Sequence, residues 1–133
     1  PWGGSYVAQF LEDAGSRYVF ASETGRGSLV LDVEAVYERA VGADYWLHQY
    51  GWDGLEDVAA TDPRLTRLRS YRAGNVINND ARSNPRGGND FYESGPYRPD
   101  IILSDLVRIF HPEVQHPRGL RKSSGLHYYR YLE

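Results

Sequence analysis

At 133 residues with a formal charge of -3, the chain is long enough for one domain around a single core. Its Lys and Arg are scattered among acids, which argues against a nucleic-acid footprint. No apolar run approaches a membrane-spanning length, and zero Cys removes disulfides, thiolate nucleophiles and thiolate metal sites. The 11 Tyr and 3 Trp are large rings with polar tips, suited either to a recognition surface or to core packing. The chain opens on Pro-Trp-Gly-Gly without a Met, which reads as a piece of a longer polypeptide. The lack of a signal peptide therefore says nothing about destination.

Taken in order, Trp2-Gly3-Gly4-Ser5 reads as a loop ending in an N-cap serine. Tyr6, Val7, Phe10, Leu11 and Ala14 then give a helical face that Gly15 stops. Arg17 to Ala21 reads as a short strand, and Glu23 to Ser28 as a flexible loop. Asp32 is placed to cap a helix over Val33 to Val41, in which Val33, Val36, Tyr37 and Ala40 share a face. Asp44 to His48 is the next strand after a Gly-Ala break, and Gln49 to Gly54 is an aromatic loop carrying Tyr50 and Trp52. A short helix over Leu55 to Ala60 follows, then a second helical turn through Leu65 and Leu68 capped by Thr61 or Asp62. Asn75 to Asn78 is a short strand.

Asn79 to Arg98, rich in Asn, Arg, Gly and Pro, reads as the longest irregular region, of the kind that is usually functional or disordered. Its end delivers an aromatic, amide-rich loop onto the strongest helix of the chain, which starts at Pro99-Asp100 and is closed by Pro112. Leu103, Leu106, Val107 and Phe110 recur there at i, i+3, i+4, i+7 and predict a buried stripe. Such a loop on a helix N-terminus reads as the mouth of a binding cleft. Tyr128-Tyr129-Arg130-Tyr131 predicts a final extended piece packed on the domain. Leu132-Glu133 fits a tag junction as well as a native end. The alternation of helices and strands predicts an α/β fold, a three-layer αβα lobe with a small, mostly parallel sheet.

Several of these stretches stand in a familiar order: Trp2-x-x-x-Ser5, Ala14-Gly15-x-x-Tyr18, Leu31-x-x-Glu34-x-Val36, Ala43-Asp44-x-Trp46, Val76-x-Asn78-Asn79, and Arg98-Pro99-Asp100-Ile101-Ile102-Leu103-x-Asp105-Leu106 with His111-Pro112-Glu113. Together they resemble the C-terminal lobe of the periplasmic solute-binding proteins of iron-siderophore, haem and cobalamin ABC importers, over nearly the whole chain. The resemblance implies one half of a bilobal protein, with the N-terminal lobe and the connecting helix lying outside these residues. It implies a chelate held between lobes, no resident cofactor, an inner-membrane ABC permease as partner, and a periplasmic or lipid-anchored location outside a bacterial membrane. Glu34 matches the acidic residue that seats on the permease; its local role is an acid in the first turn of a helix, favoured by the helix dipole. By position the resemblance puts the ligand near Trp2, Ser5, Tyr50, Trp52, Arg82, Asn89, Phe91, Tyr92, Tyr97 and Arg98. Aromatic faces would pack a macrocycle or catecholate, Arg would bind an anionic chelate, and Asn would supply neutral hydrogen bonds. Arg82 is equally a solvated loop charge and Arg98 a helix-edge ion pair.

Two other classes remain in view. An enzyme would need a nucleophile with a partner base, but there is no Gly-x-Ser-x-Gly and no Cys, and His48, His111, His116 and His127 are scattered. Pro112 breaks any helical metal face between His111 and His116. A carbohydrate- or protein-binding module explains the aromatic surface but not the α/β order. The expectation is therefore binding without catalysis and with no metal site of the chain's own.

Overall fold

The computed structural model describes residues 1–25, 28–48, 51–115 and 122–133. Tyr50 and His116 lie outside the described residues. Ser5 caps α1 (Tyr6–Asp13) by accepting from the Ala8 N–H at 3.2 Å. The chain leaves that helix through Gly15 at φ 80, a left-handed turn that glycine adopts without strain. Asp32 caps α2 (Val33–Ala40) in the same way, accepting from the Ala35 N–H at 2.7 Å. Both caps fall where the sequence puts them, because a short side-chain oxygen satisfies an otherwise orphaned N–H.

The strand expected over Arg17 to Ala21 does not form. Its donors are used locally: Ala21 N–H donates to the Tyr18 carbonyl and Glu23 N–H to the Phe20 carbonyl, so the segment folds into consecutive turns. The Tyr18 hydroxyl donates to the Pro1 carbonyl, which holds the turn against the start of the chain.

Three strands do form: β1 (Trp46–His48), β2 (Val76–Asn78) and β3 (Arg130–Tyr131), in the order β1-β2-β3. The β1 and β2 strands are parallel, with His48 opposite Asn78, whereas β3 runs antiparallel to β2, with Arg130 also opposite Asn78. The sheet is thus mixed rather than mostly parallel. Between β1 and β2 lie α3 (Leu55–Thr61), a 3₁₀ turn (Pro63–Arg67) and α4 (Arg69–Arg72).

Strand alternation divides the core into two halves. Ile77 packs into one half with Leu11, Phe91, Ile102, Leu106, Ile109, Tyr128 and Tyr129, the layer built by α1 and α6 (Pro99–Phe110). Val76 packs into the other with Val58, Leu65, Leu68 and Leu132. Leu132 is therefore a core residue, and its N–H donates to the Val76 carbonyl.

The α6 helix has the expected bounds, but its buried stripe is Ile102, Asp105, Leu106 and Ile109, with Leu103, Val107 and Phe110 half-buried on the flank. Asp105 is the reason for that rotation. Its carboxylate accepts from the backbone N–H groups of His127, Tyr128 and Tyr129 at 2.7 to 3.2 Å. A residue an apolar pattern scores as surface is thereby placed at the centre of the core. Burial pushes the Asp105 carboxyl above the usual carboxylate range, and the three N–H donors oppose that shift. The clasp also fixes the direction in which the tail enters β3. The Asn79 to Arg98 region is irregular up to Asn89 and helical only in its second half. Asn84 accepts from the N–H groups of Arg86 and Gly88, Ser83 bridges Asn89, and the chain then forms α5 (Asp90–Glu93) and a 3₁₀ turn (Gly95–Tyr97). Helix α7 (Pro112–Gln115) begins at Pro112, a first helical position that suits proline.

Candidate ligand site

The parallel strands of an open α/β sheet end in loops that rise away from the backbone ladder, and ligands collect there. Here β1 ends in His48 and β2 in Asn78, side by side, with Asn79 and Asp80 following. The Trp52 ring lies flat on the His48 imidazole, with centroids 3.8 Å apart and planes at 14°, and meets Trp46 edge-on at 5.3 Å. The Trp52 indole N–H donates to the Thr61 hydroxyl at 3.0 Å, which ties the ring to the end of α3.

Unmet polar groups concentrate at this edge. Among the described residues, His48 Nδ1, Asn78 Oδ1 and Asn79 Oδ1 are buried without a hydrogen-bond partner. The Asn78 amide cannot be turned over to correct this, because its Nδ2 donates to the Trp52 carbonyl at 2.9 Å and approaches Asp80 Oδ2 at 3.4 Å, both of them acceptors. Asn79 donates from Nδ2 to the Tyr92 hydroxyl at 3.2 Å. An orphaned buried polar atom costs about 1–3 kcal/mol, so three at one edge mark a place where local stability has been given up. Burial holds the His48 imidazole below its ordinary pKa. The nearby Asn78 side chain and the Asp80 carboxylate pull the other way. The lowered pKa favours the uncharged ring near neutral pH.

One ion pair braces the edge. Arg130 of β3 grips Asp80 through two bonds, Nε to Oδ1 at 2.7 Å and Nη2 to Oδ2 at 3.1 Å, and also donates to the carbonyls of Trp52 and Asp53. Planar fork-on-carboxylate contacts are directional as well as charged, so Arg130 fixes the position of the loop that carries Trp52.

The residues expected at a ligand site are not brought together in one place. Trp52 stands at the sheet edge. Tyr92 is joined to that edge through Asn79, whereas Arg82, Asn89 and Phe91 are structurally engaged. Arg82 pairs with Asp90 at 2.9 Å, Asn89 caps α5 by accepting from the Phe91 N–H, and Phe91 is a core ring packed edge-on against Tyr92, Tyr128 and Tyr129. Tyr92 keeps an exposed face, and Tyr97, at 84% exposure, projects into solvent. Arg98 forks onto Asp100 at 2.9 and 3.0 Å, the helix-edge ion pair that its position allows. Trp2 and Ser5 belong to a different contact set: the Trp2 ring rests on Gly25, where a Cβ would come within 2.6 Å of it, and the Ser5 hydroxyl is used as the α1 cap. Glu34 lies in the first turn of α2 with its side chain 85% exposed, 3.6 Å from Arg64 Nη1.

The residues that sequence reasoning left out of the ligand face are Asn78, Asn79, Asp80 and Arg130, while His48 was arguable, with Tyr92 and Tyr97, only as an axial or iron-anchoring ligand. A polar pair closing an apolar strand, and one Arg inside a run of tyrosines, were the signals available for them. Among the described residues, no three His, Asp or Glu side chains converge to hold a metal ion.

No family model and no solved structure matches the chain. The chain is similar to an uncharacterized lipoprotein of Methanocaldococcus jannaschii, with 26% identity over 115 residues, or 86% of this chain. The chain spans about a quarter (26%) of the length of that curated relative.

Proposed function

We propose that this chain is the ligand-binding half of an importer solute-binding protein for a bulky chelate of the iron-siderophore, haem or cobalamin kind. The observation that carries this reading is the sheet edge, where a Trp52 face, the His48 imidazole and the unmatched Asn78 and Asn79 carbonyls meet at the C-terminal ends of β1 and β2. An aromatic plane beside a few directed polar groups suits a large ring-bearing ligand. The ordered run of motifs from Trp2 to Glu113 supports the same class, and a relative named as a lipoprotein supports the location. On that basis the chain works outside a membrane on a lipid-anchored polypeptide. No helix of the described residues is long and apolar enough to cross a membrane itself.

In this reading the chelate is captured between this edge and a second lobe, and the loaded protein seats on an ABC permease through Glu34. The exposure of Glu34 leaves its charge accessible for that contact. The step is binding and delivery rather than bond-making. Arg82 and Arg98 enter it already paired with Asp90 and Asp100, so an anionic chelate would have to compete with those carboxylates. Tryptophan fluorescence of the full-length polypeptide, titrated with ferric siderophores, haemin and cyanocobalamin, tests the proposal. Saturable quenching by one of them, lost on Trp52→Leu, is the expected result. No response to any of the three would overturn the assignment, and binding to oligosaccharides instead would favour an aromatic carbohydrate module.

A further inference from the structure

The segment from His127 to Glu133 reaches each stretch of chain that builds the C-terminal edge of the sheet. The Tyr128 carbonyl accepts from the Ala81 N–H at 3.1 Å, next in sequence to Asn79 and Asp80. The Tyr128 hydroxyl shares a hydrogen bond of 2.6 Å with the hydroxyl of Ser94, the residue that ends the helix carrying Tyr92. Arg130 grips Asp80 and donates to the Trp52 and Asp53 carbonyls. The Glu133 carbonyl accepts from the Leu55 N–H at 3.0 Å, at the start of α3. Gly54 permits that approach, since a Cβ there would stand 2.8 Å from the same carbonyl oxygen. The segments bearing Trp52, Asn79 and Tyr92 are thus tied to one strap.

The strap has little of its own to fix where it lies. Its strand β3 is 2 residues long, and so short a pairing specifies register weakly. What precedes β3 is held from elsewhere, by the Asp105 carboxylate on the backbone N–H groups of His127, Tyr128 and Tyr129. Asp105 is 2% exposed and makes no hydrogen bond to Trp52, Asn78 or Asp80. We propose that Asp105 is a positioning residue for ligand capture: by clasping the strap it sets Tyr128 and Arg130 in register with Ser94, Asp80 and the Trp52 carbonyl. The inference rests on reading that edge as the ligand site. It gives the buried carboxylate a role beyond stability, because an acceptor of backbone N–H groups fixes the strap in position and direction, as non-directional apolar packing does not.

The His48 ring protons report the site without any ligand, because the Trp52 ring stacked on that imidazole at 3.8 Å shifts their resonances. In the full-length polypeptide, Asp105→Asn should move those resonances toward the positions of an unstacked imidazole. It should also weaken whichever of haemin, cyanocobalamin or a ferric siderophore quenches the tryptophan fluorescence, by about tenfold, the scale of a supporting contact one step removed from a site. Leu106→Ala, on the same helix, is the control: it should lower the melting temperature and leave the His48 resonances in place. Arg130→Lys should reproduce the Asp105→Asn shift, and the double variant should add little to it, because both changes act along one path. In the unmodified protein the Leu55, Ala81, Tyr128 and Tyr129 amides should exchange within about tenfold of one another and open together as urea is added. That measurement decides the matter even if Asp105→Asn fails to fold. His48 shifts in Asp105→Asn no larger than in Leu106→Ala would overturn the proposal. Full additivity in the double variant, or an Ala81 amide that opens apart from Tyr128, would overturn it as well. Silence of all the ligands would sink the importer reading, while the His48 shifts and the exchange rates would still test the positioning role.

Discussion

The two helical layers meet the same small sheet and are held very differently. On one side α6 is fastened by a buried carboxylate that collects three backbone N–H groups and by a cluster of leucine, isoleucine and aromatic side chains. His111 adds a contact from the far end of that helix to the Ala14 carbonyl at 2.8 Å. On the other side α2 has a good cap and an apolar face, but Val33, Tyr37 and Ala40 are only half-buried against the Val58, Leu65 and Leu132 cluster. Local signals are enough to form a helix, and only a packed partner makes it contribute to the stability of the whole. The α6 side is therefore the frame of this domain, whereas the α2 side is held by half-buried contacts alone.

The largest effect is expected at the clasp. Asp105→Ala leaves the His127, Tyr128 and Tyr129 N–H groups buried without an acceptor and should cost about 3 kcal/mol, read as a lower urea midpoint with β3 released first. The next test sets the layers against each other. Leu106→Ala, in the α6 layer, should cost about 2–5 kcal/mol, while Val36→Ala on α2 in the 133-residue chain should cost less than about 1 kcal/mol. Equal costs would erase the distinction between the layers.

A smaller effect is expected from His48. Because burial lowers its folded pKa, the unfolded chain binds the proton more readily in the ordinary imidazole range, near about pH 6.5. Stability should therefore fall as pH drops through that range and be fully present above it. His48→Gln should flatten that part of the pH–stability curve relative to the unmodified protein. The smallest structural effect is expected at Glu34. Glu34→Ala should leave the melting temperature unchanged, since its contact with Arg64 is long and exposed, yet it should abolish chelate uptake in cells if that carboxylate seats on a permease.

What the sequence made legible follows the range of the interactions. The Ser5 and Asp32 caps and the bounds of α6 depend on neighbours within four residues, and they were readable. The β1 and β2 strands were readable as short apolar runs. Arg17 to Ala21 has a strand-like composition and formed turns, because the Ala21 and Glu23 N–H groups are spent on the nearby carbonyls of Tyr18 and Phe20. The direction of β3 and the rotation of α6 both depend on Asp105, whose partners lie more than twenty residues away, and no periodicity reports such a contact. The ligand edge was half legible. Trp52 stood out by its chemistry, whereas Asp80 and Arg130, fifty residues apart in the chain, are brought together by the antiparallel pairing of β3 alone.

The most direct measurement is a chemical-shift map of the full-length protein titrated in turn with cyanocobalamin, a ferric siderophore and haemin. Saturable shifts at the Trp52 indole and at the side chains of Asn78, Asn79 and Tyr92, with Ser5 and Val36 unmoved, are the predicted result. Saturable binding that leaves Trp52 and Asn78 undisturbed would contradict the placement of the site at the C-terminal edge of the sheet.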